Sequence, residues 1–506
     1  MSKPVVSARL DRPPLSAARR WAALGVLVLS VLLLAVDGTV LYLAVPALTA
    51  DLGPTATQIL WIGDIYSLAL AGLLVVMGNL SDRLGRKRLL LIGSGAFGLA
   101  SLLAAFASSG AVLIVARLLL GIAGATIMPA TLSIIRDMFR EQAERTRAIA
   151  IWSAASAGGA ALGPVIGGAL LNHFWWGSVF LINFPITLLL IGAGAVLLPE
   201  SRDPEPGRFD LISAVLSLGA IIPVVWAVKR AVTAGFDLGV AFAFALGLGI
   251  GWLFVRRQTR LTNPLLDVEL FRQRAFSGAI LSNFASVFAL TGMLFFFSQY
   301  LQLARGFTPL QAGLSELPAT VGGLGGIALI GLLMTRLGPG RTTAVALATS
   351  AIGLALVSLA EGAEHFIWLA LAITCVGLGV GIVQTVTNDS VVSAVSPNKA
   401  GTAAATSETA YELGMAFGVA LLGSVVTAFY RASVPIPADL PQTHQSALYD
   451  SLAAALHTLT PDSPAAEAAR TAFTTAMQST ALIAAAITAI AAVIAWLTIP
   501  SPRPQP

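Results

Sequence analysis

The sequence predicts an all-α polytopic membrane protein with fourteen transmembrane helices arranged as six, two and six, and both termini cytoplasmic. Three observations carry this. Charges are too few for a soluble surface. Apolar runs of membrane length recur along the whole chain. The basic residues concentrate on alternate loops.

Of 506 residues, 56% are hydrophobic and only 11% charged, against about 25% charged in ordinary soluble domains. Mean hydropathy is +0.84. A chain of this size cannot cover a soluble surface with so few charges, and disordered, collagen-like and secreted disulfide classes are excluded with it. The single cysteine, Cys375, sits in an apolar run, so no intrachain disulfide exists.

Apolar stretches of about 20 residues are read as membrane helices. They fall at 21–48, 58–80, 88–107, 111–135, 146–170, 176–198, 211–228, 237–255, 276–302, 312–335, 342–360, 365–388, 401–430 and 473–498. The first run continues past Asp37 to about Leu48, too long for a signal-peptide core, and is kept as a span.

Orientation follows from the basic residues. With the N-terminus inside, inner segments hold 24 Lys/Arg and outer segments five: Lys229, Arg230, Arg305, Arg431 and Arg470. Arg117 falls within span 4. The net charge of +5 therefore reports topology, and no nucleic-acid partner is expected.

The chain repeats itself. The loop after span 2 runs from Gly78 through Asp82, Arg83, Leu84, Gly85, Arg86 and Lys87 to Arg88. At an offset of 253 residues, the loop after span 10 shares Gly331, Arg336, Leu337, Gly338 and Arg341. The same offset pairs Gly53, Thr55 and Gln58 with Gly306, Thr308 and Gln311. Span 2 thus corresponds to span 10, a shift of eight helices. The organisation is a tail at 1–20, a six-helix bundle at 21–200, two inserted helices with linkers at 201–275, a second bundle at 276–499 containing an outer loop at 431–472, and a tail at 500–506. Parallel repeats of this kind build carriers that hold substrate between their halves near the midplane.

On these motifs the sequence resembles the major facilitator superfamily, specifically its fourteen-helix drug:proton antiporters, over nearly the whole chain. Gly78 to Arg88 matches the superfamily's cytoplasmic loop. Arg117 with Gly121 and Gly124 is similar to the span 4 signature. Gly159, Gly163, Pro164, Gly167 and Gly168 are similar to the antiporter motif of span 5, and Asp37, Thr39, Val40 and Pro46 to the span 1 signature. The stretches from Leu60 to Leu68 and from Glu408 to Gly414 resemble pumps that export quaternary ammonium compounds and dyes such as ethidium. The resemblance implies proton-driven export without a cofactor, a bacterial inner membrane, cationic drugs and protons as partners, and a monomer.

A charge in hydrocarbon is costly, so one retained there lines a cavity or pairs. Asp37 in span 1, Asp64 in span 2 and Arg117 in span 4 lie at similar depth, about 9 Å below the outer surface for Asp64. Arg117 among acids either holds a carboxylate ionised or forms a static bridge. Glu408 and Glu412 are four apart and share a helix face. Like charges at that spacing repel, so at least one is expected to carry a proton at neutral pH. A cation arriving at such an acid displaces the proton, and the site holds no uncompensated charge. The alternative is a watery vestibule. The resemblance places acidic recognition or protonation sites at Asp37, Asp64, Glu408 and Glu412. Glu316, near the outer end of span 10, is a further candidate.

Trp61, Tyr66, Tyr300 and Tyr411, with Phe295 to Phe297, are candidates to hold cations on their faces. The broadest quaternary ammonium pumps carry one more acid deeper in span 10. Gly322 and Gly323 stand there instead, which argues against divalent cations though not monovalent ones.

The spacing of Gly159, Gly163 and Gly167 makes a smooth face for close helix approach, either a rocking interface or ordinary packing. Asp82 with Arg83, Arg86 and Arg88 is expected to form a cytoplasmic latch; the bland reading is topology signal alone. The outer loop is expected to fold as a helical hairpin, with disorder as the alternative. No nucleotide-binding loop, metal-ligand spacing or nucleophilic triad appears, so an enzyme or sensor is disfavoured. A narrow antibiotic exporter on the same scaffold, and an importer, are the remaining rivals.

Overall fold

The computed structural model describes residues 16–139, 141–202, 210–261, 264–395, 400–460 and 462–501. Most of both expected tails lies outside the described residues, as do Arg140, Arg208, Lys399 and Arg503 among the inner basic positions. All regular structure among the described residues is helical, and thirteen helical segments are long and apolar enough to cross a membrane.

The first bundle comprises α1 (Ala17–Leu52), α2 (Ala56–Leu84), α3 (Arg86–Ala105), α4 (Gly110–Met138), α5 (Gln142–His173), short α6 (Ser178–Leu181) and α7 (Asn183–Leu197). A hairpin follows, α8 (Leu211–Ala234) and α9 (Leu238–Gln258). The second bundle holds α10 (Arg274–Gln299), α11 (Pro309–Ser315), α12 (Leu317–Ala360), α13 (Phe366–Ser393), α14 (Ala400–Phe417), α15 (Gly423–Ser433) and α18 (Pro464–Thr498). Between its last two members lie α16 (Gln442–Asp450) and α17 (Leu452–Thr458).

The count is thirteen rather than the expected fourteen because Pro309–Ala360, which covers the expected spans 312–335 and 342–360, is one continuous stretch. It breaks at Gly338, whose φ of 73° and ψ of 171° are not helical. Ala319 packs on Gly377 of α13, and Gly353 packs on Val376 beside it. A straight helix would hold Ala319 and Gly353 about 50 Å apart. The stretch therefore folds back into two antiparallel rods. Only glycine takes this backbone conformation without strain.

The repeat is visible in the local chemistry. Gly53 (φ 56°) and Gly306 (φ 69°) both turn the chain in the left-handed region. Each is followed by a capping box that starts the next helix. Gln58 accepts from the Thr55 amide at 3.0 Å, and Gln311 from the Thr308 amide at 2.9 Å. At the far end, Gly85 (φ 109°) matches Gly338 in the same way.

The outer loop carries two short helices, α16 and α17, joined at Ser451, whose backbone is extended. Ser463 and Pro464, within the 431–472 loop range, instead start the final span, so α18 begins nine residues before position 473. Ser463 accepts from the Ala466 amide at 3.3 Å, and Pro464 occupies the first turn, where no amide donor is needed.

The glycine face of α5 packs on α1. A Cβ at Gly159 would lie 2.8 Å from that of Ala35, and one at Gly167 would lie 2.5 Å from Val40 Cγ2; Gly163 abuts Thr39. Gly168 faces the other bundle, where a Cβ would fall 2.6 Å from the Pro309 carbonyl oxygen, and Gly313 abuts the Pro164 carbonyl. Further contacts join the bundles at this same end, opposite the basic loops. Tyr42 meets Phe295 edge-on at 5.5 Å between centroids. Gln302 donates to the Leu43 carbonyl at 3.1 Å. The Ala56 amide donates to Asp450 at the end of α16 at 3.3 Å.

Candidate functional site: the buried charges

Five acids and two cations lie in the bundle interior at or near the seam. Asp37 is fully buried in α1. Arg117 of α4 reaches it with Nη1 at 3.0 Å from Oδ2. The Asn183 amide donates to Oδ1 at 2.7 Å and to Ser101 at 3.0 Å. Arg117 also donates through Nε to the Ile62 carbonyl at 3.3 Å, and its guanidinium lies 4.5 Å from the Tyr66 ring centre. Four helices thus meet on one neutral, hydrogen-bonded pair, the condition for tolerating buried charge.

Asp64 of α2 is also fully buried and also matched. Its partner is Lys229 of α8, with Nζ at 2.6 Å from Oδ2. The same ammonium lies 3.7 Å from the centre of a Trp61 ring. This corrects the sequence reading of Lys229 as an outer-loop charge. The span was ended at the first charge, whereas α8 runs on to Ala234 and buries Lys229 to 1% exposure. The signal was the apolar residues after Arg230, which continue the helix to the break at Gly235.

The remaining acids have no such counter-ion among the described ion pairs. Glu412 of α14 is buried, with Ser67 of α2 donating to it across the seam. Its Oε2 has no hydrogen-bond partner among the described residues. Glu408 is half-buried one turn away and shares an electrostatic environment with Glu412 and Tyr411. Glu316, at the joint between α11 and α12, is buried with Oε1 unpartnered among the described residues. Tyr42 is within electrostatic reach of both Glu412 and Glu316. Tyr66 lies within reach of Asp37 and Glu412. Tyr42, Ser67 and Asn183 were not identified from sequence. Asn183, a lone amide in an apolar run, was the most legible of them.

Tyr300 is not brought to these acids. Its hydroxyl donates to the Glu361 carbonyl and accepts from Arg305 Nε at 2.8 Å, in a knot that ties α10 to the end of α12. Of the latch residues, Asp82, Arg86 and Arg88 make their described ion pairs within one bundle. Arg86 bridges Asp82 at 2.8 Å and Asp137, while Arg88 lies 3.8 Å from Glu200. Gly78 packs on Pro129, and Gly85 packs against Glu200 with a φ closed to other residues. Gly322 abuts the Thr374 carbonyl, so no acidic side chain fits there.

Fold and buried charges together define a multi-pass membrane carrier whose two bundles meet on an acid-lined seam. The Major Facilitator Superfamily model matches residues 27–419, and the chain belongs to that superfamily. It is 47% identical over 483 residues to the multidrug efflux pump LfrA of Mycolicibacterium smegmatis, covering 94% of this chain and 95% of that one. It is 37% identical over 426 residues to the methyl viologen resistance protein SmvA of Salmonella typhimurium, covering 83% and 86%. With the puromycin resistance protein pur8 of Streptomyces alboniger it shares 34% over 429 residues, 84% of each chain. Among solved structures it resembles a bacterial homologue of the human lysosomal transporter Spinster in its inward-facing, unoccupied conformation. The TM-score is 0.66 at 16% identity, over 96% of this chain and 98% of that one.

Proposed function

We propose that the chain is a proton-coupled antiporter that exports lipophilic organic cations across the inner membrane. The observation that carries this reading is the division of the buried charges. Asp37 and Asp64 are each matched by a cation, whereas Glu412 and Glu316 are buried with a carboxylate oxygen unpartnered among the described residues. An isolated ionised carboxylate is costly in such surroundings. Proton and organic cation therefore compete for one acid, and cation entry on one side releases the proton. Glu408 extends the site toward the cytoplasm, and Tyr66 and Tyr411 supply aromatic faces. The efflux names of the relatives support the export direction.

In this reading the bundles at 21–200 and 276–499 rock about the α5–α11 and α2–α14 contacts, with 201–275 inserted between them. The Asp82–Arg86 group forms the cytoplasmic latch, both termini are cytoplasmic, no cofactor is needed, and one chain suffices. The test uses inverted membrane vesicles with a preset proton gradient. Ethidium and a benzalkonium compound are expected to collapse it, and a neutral antibiotic is not. Collapse by one neutral antibiotic alone would favour a narrow exporter. No response to any cation by folded protein would refute the reading.

A further inference from the structure

The inserted α8 does more than fill space beside α2. Ile221, Val225 and Lys229 recur every fourth residue, so they share one helix face. That face lies on the seam: Val225 packs in a cluster with Ile65 and Leu68 of α2 and Ala416 of α14, with Trp61 and Ile221 against it. At the end of the stripe, Lys229 places its ammonium 2.6 Å from Asp64 and 3.7 Å from the centre of a Trp61 ring. All of Asp64 and nearly all of Lys229 are withdrawn from solvent. A carboxylate at hydrogen-bond distance and an indole face on a second side are the two groups that recognise an organic ammonium.

We propose that Trp61 and Asp64 form an alkylammonium-binding box, and that Lys229 is its tethered occupant. The inserted helix carries a built-in cation that holds the box filled. A lipophilic ammonium taking its place would displace Lys229 and loosen α8 from the α2–α14 seam. Only the identity of that competitor rests on the export reading; the box itself is independent of transport.

The test uses the purified full-length chain in detergent. Lys229→Ala removes the tethered ammonium and leaves a space of propylammonium length. Propylammonium chloride is expected to raise the unfolding midpoint of Lys229→Ala saturably, and to leave wild type unmoved beyond the effect of sodium chloride. The rise is expected to vanish in Lys229→Ala/Asp64→Asn and to shrink in Lys229→Ala/Trp61→Leu. If Lys229→Ala is recovered only when propylammonium is present during extraction, that rescue supports the box equally. A folded Lys229→Ala that ignores propylammonium would overturn the proposal. So would a Lys229→Ala that the amine cannot rescue, while the neutral pair Lys229→Met/Asp64→Asn folds, since the pair would then be structural only. Gradient collapse by wild-type vesicles is read separately, so a failed box and a failed export reading are distinguishable.

Discussion

Arg117 and Asp37 form a closed ion pair in the bundle core, 3.0 Å apart and no more than 1% exposed. Removing one partner of a buried pair strands the other, at about 3–5 kcal/mol. Arg117→Met is therefore expected to lower the thermal midpoint in detergent sharply. Asp37→Asn/Arg117→Met is expected to recover most of that loss. Equal loss in the single and double variants would show that Arg117 acts through Ile62 and Tyr66 rather than through Asp37.

Gly163 sits against Thr39 and Val36 at the crossing of α5 and α1. Inserting a large side chain into so tight a contact costs about 1–3 kcal/mol or more. Gly163→Leu is expected to reduce both folded yield and export. Gly192, which has open space around its Cβ position, is the control, and Gly192→Ala is expected to match wild type in both measurements.

Glu361 follows the second rod of α12 and is 2% exposed, with both carboxylate oxygens unpartnered among the described residues. Burial pushes its pKa well above the usual carboxylate range, against the opposing pull of Arg305. The folded chain then holds a proton that the unfolded chain releases. Its contribution is fully present below the unfolded pKa and is lost as pH rises toward the folded value. The wild-type midpoint is expected to fall relative to Glu361→Gln as pH rises from 5 to 8. Parallel profiles for the two proteins would contradict this.

Much of the architecture was legible because membrane physics writes it in composition and charge. The span boundaries and the repeat needed only apolar length, loop bias and a fixed offset. The offset pairs Thr55 and Thr308, whose capping boxes match in geometry. Distances across helices were not legible. Lys229 was placed outside because its charge ended an apolar run, and only packing on α2 reveals its carboxylate partner. Tyr300 had the right chemistry but a hydroxyl committed to Glu361 and Arg305. The Gly338 turn was legible as a loop, but not as a single non-helical residue inside an otherwise helical α12.

Gly168 and Gly313 close the two bundles together at the end opposite the basic loops. Gly168→Leu is expected to hold that end apart. A cysteine introduced at Leu43 is then expected to react faster with a membrane-impermeant maleimide than in the Gly168 background. An unchanged rate would place the closing contact elsewhere.

The account turns on one acid, Glu412, exchanging a proton for an organic cation. The direct measurement is proton release from purified protein in weakly buffered detergent on adding ethidium, with binding followed in parallel by fluorescence. Wild type is expected to release up to about one proton per cation bound, as linkage requires when the two compete for one carboxylate. Glu412→Gln is expected to remain folded and release almost none. Cation binding to wild type without proton release, or undiminished release from folded Glu412→Gln, would contradict the account.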